Sequence, residues 1–132
     1  MKKSIFLSLF IICITCVVMA QENASSDMIK LSPLSKKSVS VQVGQKLYFE
    51  AKVHGSVGMS AQFSISNEKT IRLVSEDLEF KNPQQADMPG GDSAVRTYIF
   101  EAIQPGTSQI KIEQVFRGKV EDSYTFKIKV NE

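Results

Sequence analysis

The chain has no tryptophan, a single histidine and only two cysteines, Cys13 and Cys16, both near its start. That start reads as an export signal. Lys2 and Lys3 provide a positive beginning, Ile5 to Val18 an apolar run, and Val18-Met19-Ala20 a small-residue cleavage pattern, so residues 1–20 are expected to be removed. The apolar run is short for a membrane span, and the polar Gln21-Glu22-Asn23 follows at once. What remains would carry no thiol, no disulfide and no sulfur ligand for zinc, which leaves packing as the source of stability. Cys16 has a second reading as the lipidated residue of a tethered lipoprotein, but Ile14-Thr15 lacks the small residue wanted before it. The domain is therefore expected outside the cytoplasm, periplasmic or secreted.

An excess of one charge is also missing. The whole chain has 16 basic and 14 acidic residues, and without Lys2 and Lys3 the basic count falls to 14, equal to the acidic. Binding to nucleic acid or to an anionic membrane needs a concentrated positive field, so neither is expected as a partner, and the mature domain has no segment suited to membrane insertion. About 110 residues suit one domain with a modest core.

Sustained helical spacing is absent, and period-two alternation takes its place. Val39, Val41 and Val43 alternate with polar residues, as do Leu47, Phe49, Ala51 and Val53 after a Gly44-Gln45 turn. The pattern continues through Ala61, Phe63 and Ile65, then Ile71 to Phe80, Val95 to Ala102, Ser108 to Phe116, and Tyr124 to Val130. Asn67-Glu68-Lys69 and Gln104-Pro105-Gly106-Thr107 read as turns, and residues 81–92 as the longest loop. About seven strands at this spacing predict an all-β, immunoglobulin-like β-sandwich over residues 28–132, preceded by a polar tether at 21–27. The Cys-Trp-Cys signature of antibody domains is not there.

Chemistry is scarce too. Catalysis would have to use His54 as its imidazole, with Ser56 and Ser60 close by along an extended loop, and no Gly-x-Ser-x-Gly elbow leads from a strand into a helix. His54 reads as a solvated residue at a strand end. Glu76, Asp77 and Glu79 follow one another along a strand and read as a solvated sheet face, not as calcium ligands. No catalytic residue, metal or cofactor is expected. Loops remain: His54, Gly55, Ser56, Val57, Gly58 and Met59; Pro89, Gly90 and Gly91; and Phe116, Arg117 and Gly118.

In strand spacing and in these three loops the sequence resembles the chagasin family, inhibitors of papain-like cysteine proteases built on an immunoglobulin-like sandwich. Gly58, the bulky Met59 and Ser60 keep the order of that family's first loop, while His54-Gly55-Ser56-Val57 replaces its Asn-Pro-Thr-Thr run and Ala61 its tryptophan. Gly90-Gly91 keeps the end of the middle-loop glycine motif, with Met88 in place of the earlier glycine. Arg117 keeps the arginine of the last loop, but Gly118 and Lys119 follow in place of Pro and Trp. The resemblance implies a reversible inhibitor, acting as a monomer, whose three loops occlude the cleft of a cysteine protease. In that arrangement the small residues Gly55, Ser56 and Gly58 would let the first loop approach closely, Val57 and Met59 would make apolar contact, and Phe116 with Arg117 would anchor one flank. A bacterial immunoglobulin-like surface or adhesion module is the alternative reading.

Overall fold

In a computed structural model, residues 27–34 and 37–132 are described; the signal peptide expected at 1–20, Cys16 within it, and all of the expected tether except Asp27 lie outside the described residues. Alternation of apolar and polar side chains gives eight strands: β1 (Ile29–Leu31), β2 (Ser38–Gln42), β3 (Lys46–His54), β4 (Met59–Ile65), β5 (Ile71–Phe80), β6 (Ser93–Ala102), β7 (Gly106–Phe116) and β8 (Lys119–Asn131). Hydrogen-bonded neighbours run β2-β8-β7-β4-β3-β6-β5, with β1 added to β3. Consecutive β3 and β4 share a single register pair, His54 with Met59, whereas β3 pairs with β6 from Lys46 to His54 and β4 with β7 from Met59 to Ile65. The path therefore folds over at that one pair into two facing layers, β1-β3-β6-β5 and β2-β8-β7-β4. This is an immunoglobulin-like sandwich.

Inward side chains of the two layers meet as the alternation requires. Leu47, Phe49, Ala51, Tyr98, Phe100 and Ala102 from the first layer are buried against Val41, Ile110, Ile112, Phe126, Ile128 and Val130 from the second. Phe49 reaches across to Phe126 at 6.0 Å between ring centres, and Phe63 packs on Tyr98 at 5.1 Å and edge-on to Phe100 at 5.5 Å. Tyr98 adds a polar tie, its hydroxyl donating to the Ala61 carbonyl at 2.9 Å. Burial raises its phenol pKa above the ordinary value.

Three local features depart from the alternation. The eighth strand, β1, is a three-residue parallel pairing to Leu47–Phe49, too short to show a period. Val43 continues the alternation of Val39 and Val41 in the sequence, yet it is 46% exposed because β2 ends at Gln42 and the chain turns there. The register of β5 shifts between Leu73 and Ser75, so Glu76 pairs with Tyr98 and shares its face. Glu76 accordingly forms an ion pair with Arg96 at 3.3 Å, although it stays exposed at the sheet edge.

Candidate functional site

The sandwich brings the three loops to one pole. β3 ends at His54 and β4 starts at Met59, so the first loop joins the two layers. His54 pairs with Ser93, which puts the last residues of the 81–92 loop beside it on one side. Met59 pairs with Phe116, and Phe116 with Lys119, which puts the β7–β8 turn beside it on the other. All twelve residues singled out in the sequence lie in or beside these loops.

Gly55–Val57 form a short 3₁₀ turn closed by Gly58, whose φ of +83° lies in the left-handed region that glycine occupies without strain. The Gly58 carbonyl accepts from the Arg117 amide at 2.8 Å, tying the first loop to the last. Arg117 and Gly118, with φ of 49° and 79°, form the tight turn that joins β7 to β8 with the handedness of a strand hairpin. The Arg117 guanidinium lies 5.0 Å over the Phe116 ring, a cation–π contact within the turn. In the middle loop, Met88 donates from its amide to the Gln85 carbonyl and Gly91 donates to that of Met88, both at 2.9 Å. A Cβ at position 91 would lie 1.8 Å from the Gln85 oxygen, so the loop closes on itself only with glycine there.

His54 is not the solvated residue expected from its position. It is half-buried, and its Nε2 lies 3.1 Å from the Gly90 carbonyl oxygen and 3.2 Å from Asp92 Oδ1. Both partners accept, so Nε2 carries the proton. Ser56 donates its hydroxyl to Asp92 Oδ1 at 2.5 Å and its amide to Oδ2 at 2.8 Å. Serine, histidine and aspartate thus come together in the wrong order for a triad: the carboxylate stands between the hydroxyl and the imidazole, so the imidazole does not accept the serine proton. Among the described residues no three His, Cys, Asp or Glu side chains are placed to share a metal ion, and no helix is long and apolar enough to cross a membrane.

The Ser56 hydroxyl and amide, with a smaller contribution from His54, hold the Asp92 carboxyl below the ordinary carboxylate range. A lowered pKa stabilises the folded loop end above the unfolded value of about 3.9 and loses that contribution as pH falls through the lowered one. The contacts should therefore persist from neutral pH down through pH 4. In a carboxyl-carbon NMR titration, the Asp92 midpoint is expected below about 3.9; a midpoint above it would contradict the geometry.

Two side chains that the sequence did not single out, Met88 and Val120, join Val57 among the exposed apolar residues of the pole. Val57 is 38%, Met88 59% and Val120 51% exposed, and all three belong to these loops or their immediate flanks. Met59 and Phe116 are half-buried beside them. Asp92 was missed as well, since nothing in local spacing links it to Ser56.

No family model matches the chain, and no curated protein matches it. Solved structures do match. EhICP2, a cysteine protease inhibitor from Entamoeba histolytica, superposes with a TM-score of 0.58 at 16% identity, over 71% of this chain and 86% of that one. Amebosin gives 0.55 at 15% identity over 79% and 98%. The fold is the one seen in the chagasin family. PbICP-C, solved in complex with falcipain-2, has a TM-score of 0.51 at 11% identity and is likewise covered over 79% of this chain and 98% of that one. Identities this low carry the fold and not the chemistry of the loops.

Proposed function

We propose that this chain is an exported, reversible inhibitor of papain-like or related cysteine proteases, with no catalytic activity of its own, and that its three loops fill the active-site cleft of the enzyme. The observation that carries this reading is the bonding of the first loop to both of its neighbours at one pole. Loops held in place before an encounter lose little conformational entropy on binding, which is how a small surface reaches useful affinity. His54 to Met59 would cross the catalytic cysteine, with Val57 at the tip. Pro89, Gly90 and Gly91 would line one side of the cleft, and Phe116, Arg117 and Gly118 the other. Export rests on the leader at 1–20, and a single domain of this size fits a monomer acting one to one.

The fold shared with EhICP2 and with PbICP-C agrees with this reading. Titration of the mature chain into papain-like and streptopain-like proteases tests it. The expected result is stoichiometric, reversible loss of activity with the inhibitor recovered uncleaved. Full activity of every protease across such a panel, at micromolar chain, would remove the reading.

A further inference from the structure

We infer that Asp92 is the positioning residue of the loop end, its carboxylate fastening the first loop to the middle loop so that both meet a partner as one body. Its effect on affinity rests on the inhibitory reading; the fastening itself does not.

The 3₁₀ turn at Gly55–Val57 begins with amides that have no acceptor within the turn, and the residue before it, His54, supplies no side-chain cap. Ser56 takes its acceptor from another loop. Asp92, 36 residues away, receives the Ser56 amide on one oxygen at 2.8 Å and the Ser56 hydroxyl on the other at 2.5 Å. A third donor, His54 Nε2 at 3.2 Å, also reaches the Gly90 carbonyl, so the imidazole bridges the carboxylate and the tip of the middle loop. An ionised carboxylate is suited to this position because it offers acceptor sites on two oxygens and makes stronger bonds than a neutral acceptor.

Gly55 belongs to the same device. Its φ is not in the left-handed region, so no turn requires glycine there. A Cβ at that position, however, would stand 3.2 Å from Asp92 Oδ2, tighter than an ordinary contact. Glycine at 55 leaves room for the carboxylate to lie against the turn. Four residues from two loops, His54, Gly55, Ser56 and Asp92, are thus fitted to one another before any partner arrives.

The test compares Asp92→Ala and Asp92→Asn with the unaltered mature chain in two measurements, Ser56 amide hydrogen exchange and inhibition of a protease from the panel above. In Asp92→Ala, Ser56 exchange is expected to accelerate at least tenfold, and the inhibition constant to rise at least tenfold through faster dissociation. Asp92→Asn keeps one acceptor oxygen and should fall between the two. Because Asp92 lies at the periphery, thermal midpoints should stay close, and the asparagine variant serves as the isosteric control if the alanine variant is less stable. Unchanged Ser56 exchange in both variants overturns the fastening. Accelerated exchange with unchanged inhibition overturns the role in binding. Accelerated exchange in a chain that inhibits no protease upholds the fastening and defeats the inhibitory reading instead.

Discussion

Gly58→Arg is expected to raise the inhibition constant for a cysteine protease about 100-fold, which corresponds to about 2.7 kcal/mol of binding free energy, beside a smaller loss of folding stability from local strain. Two features of position 58 combine to give this. Its φ of +83° costs a residue with a side chain about 1–2 kcal/mol. Its Cβ would also stand 3.1 Å from Arg117 Cγ, so the new chain must push the β7–β8 turn away or bend outward over the tip. Either response disturbs the pole, because the Gly58 carbonyl is the acceptor for the Arg117 amide. A second guanidinium beside Arg117 adds repulsion. The core lies in the layers beneath, so the melting transition should stay cooperative and shift only by the local strain. Inhibition assays paired with thermal melts check this. Equal inhibition by the variant and the unaltered chain would mean that the first loop does not enter the cleft.

The alternation of Leu47, Phe49, Ala51 and Val53, and of Ile110 and Ile112, shows which side chains face inward, and the structure buries all of them. Periodicity fails where the backbone breaks step. The shift between Leu73 and Ser75 in β5 turns Glu76 to the face of Tyr98, and no residue type in Leu73-Val74-Ser75 announces it. β1 is held by pairing to β3 and has only Ile29 and Leu31 as apolar residues, too few to set a period. The last strand begins at Lys119, well before Tyr124, because the Arg117-Gly118 turn lets the last residue of β7, Phe116, pair with the first of β8, Lys119. Lys119 to Ser123 are exposed and carry no alternating signal of their own.

The candidate site was legible in part for the same reason. Strand order in a sandwich determines which loops share a pole, so reading His54–Met59, the 81–92 segment and Arg117-Gly118 as connections was enough to bring them together. Contacts between loops are another matter. Asp92 meets Ser56 only because β3 and β6 are neighbours in register, and that pairing spans some forty residues of sequence. Met88 stood where a glycine of the resembled motif would be, and Val120 lay outside the motif altogether. Their contribution is exposure, which depends on the fold. Position alone made His54 seem solvated, whereas the middle loop folds over it and supplies two acceptors.

Phe100→Ala is the variant expected to cost the most stability. The side chain is fully buried, and it lies in the cluster where Phe63 of β4 meets Tyr98 and Phe100 of β6. Removing a buried phenyl ring costs about 3–5 kcal/mol, from lost transfer and from the cavity left behind. A domain of this size has about 5–15 kcal/mol in all. No disulfide is available to limit the unfolded chain if the leader is removed, since Cys13 and Cys16 leave with it. The loss also falls at a sensitive place. β3 and β4 touch through one register pair only, so the spacing of the two layers depends on side chains such as Phe63 and its two partners, more than on backbone pairing. Phe100 pairs with Leu47, seven residues along β3 from His54, so the cavity opens toward the end of the sandwich away from the three loops. Urea unfolding should show a midpoint lowered by the full cavity cost with an unchanged slope, and inhibition measured where the variant is still folded should stay close to that of the unaltered chain. A loss below about 1 kcal/mol would mean that the aromatic cluster is not what holds the layers apart.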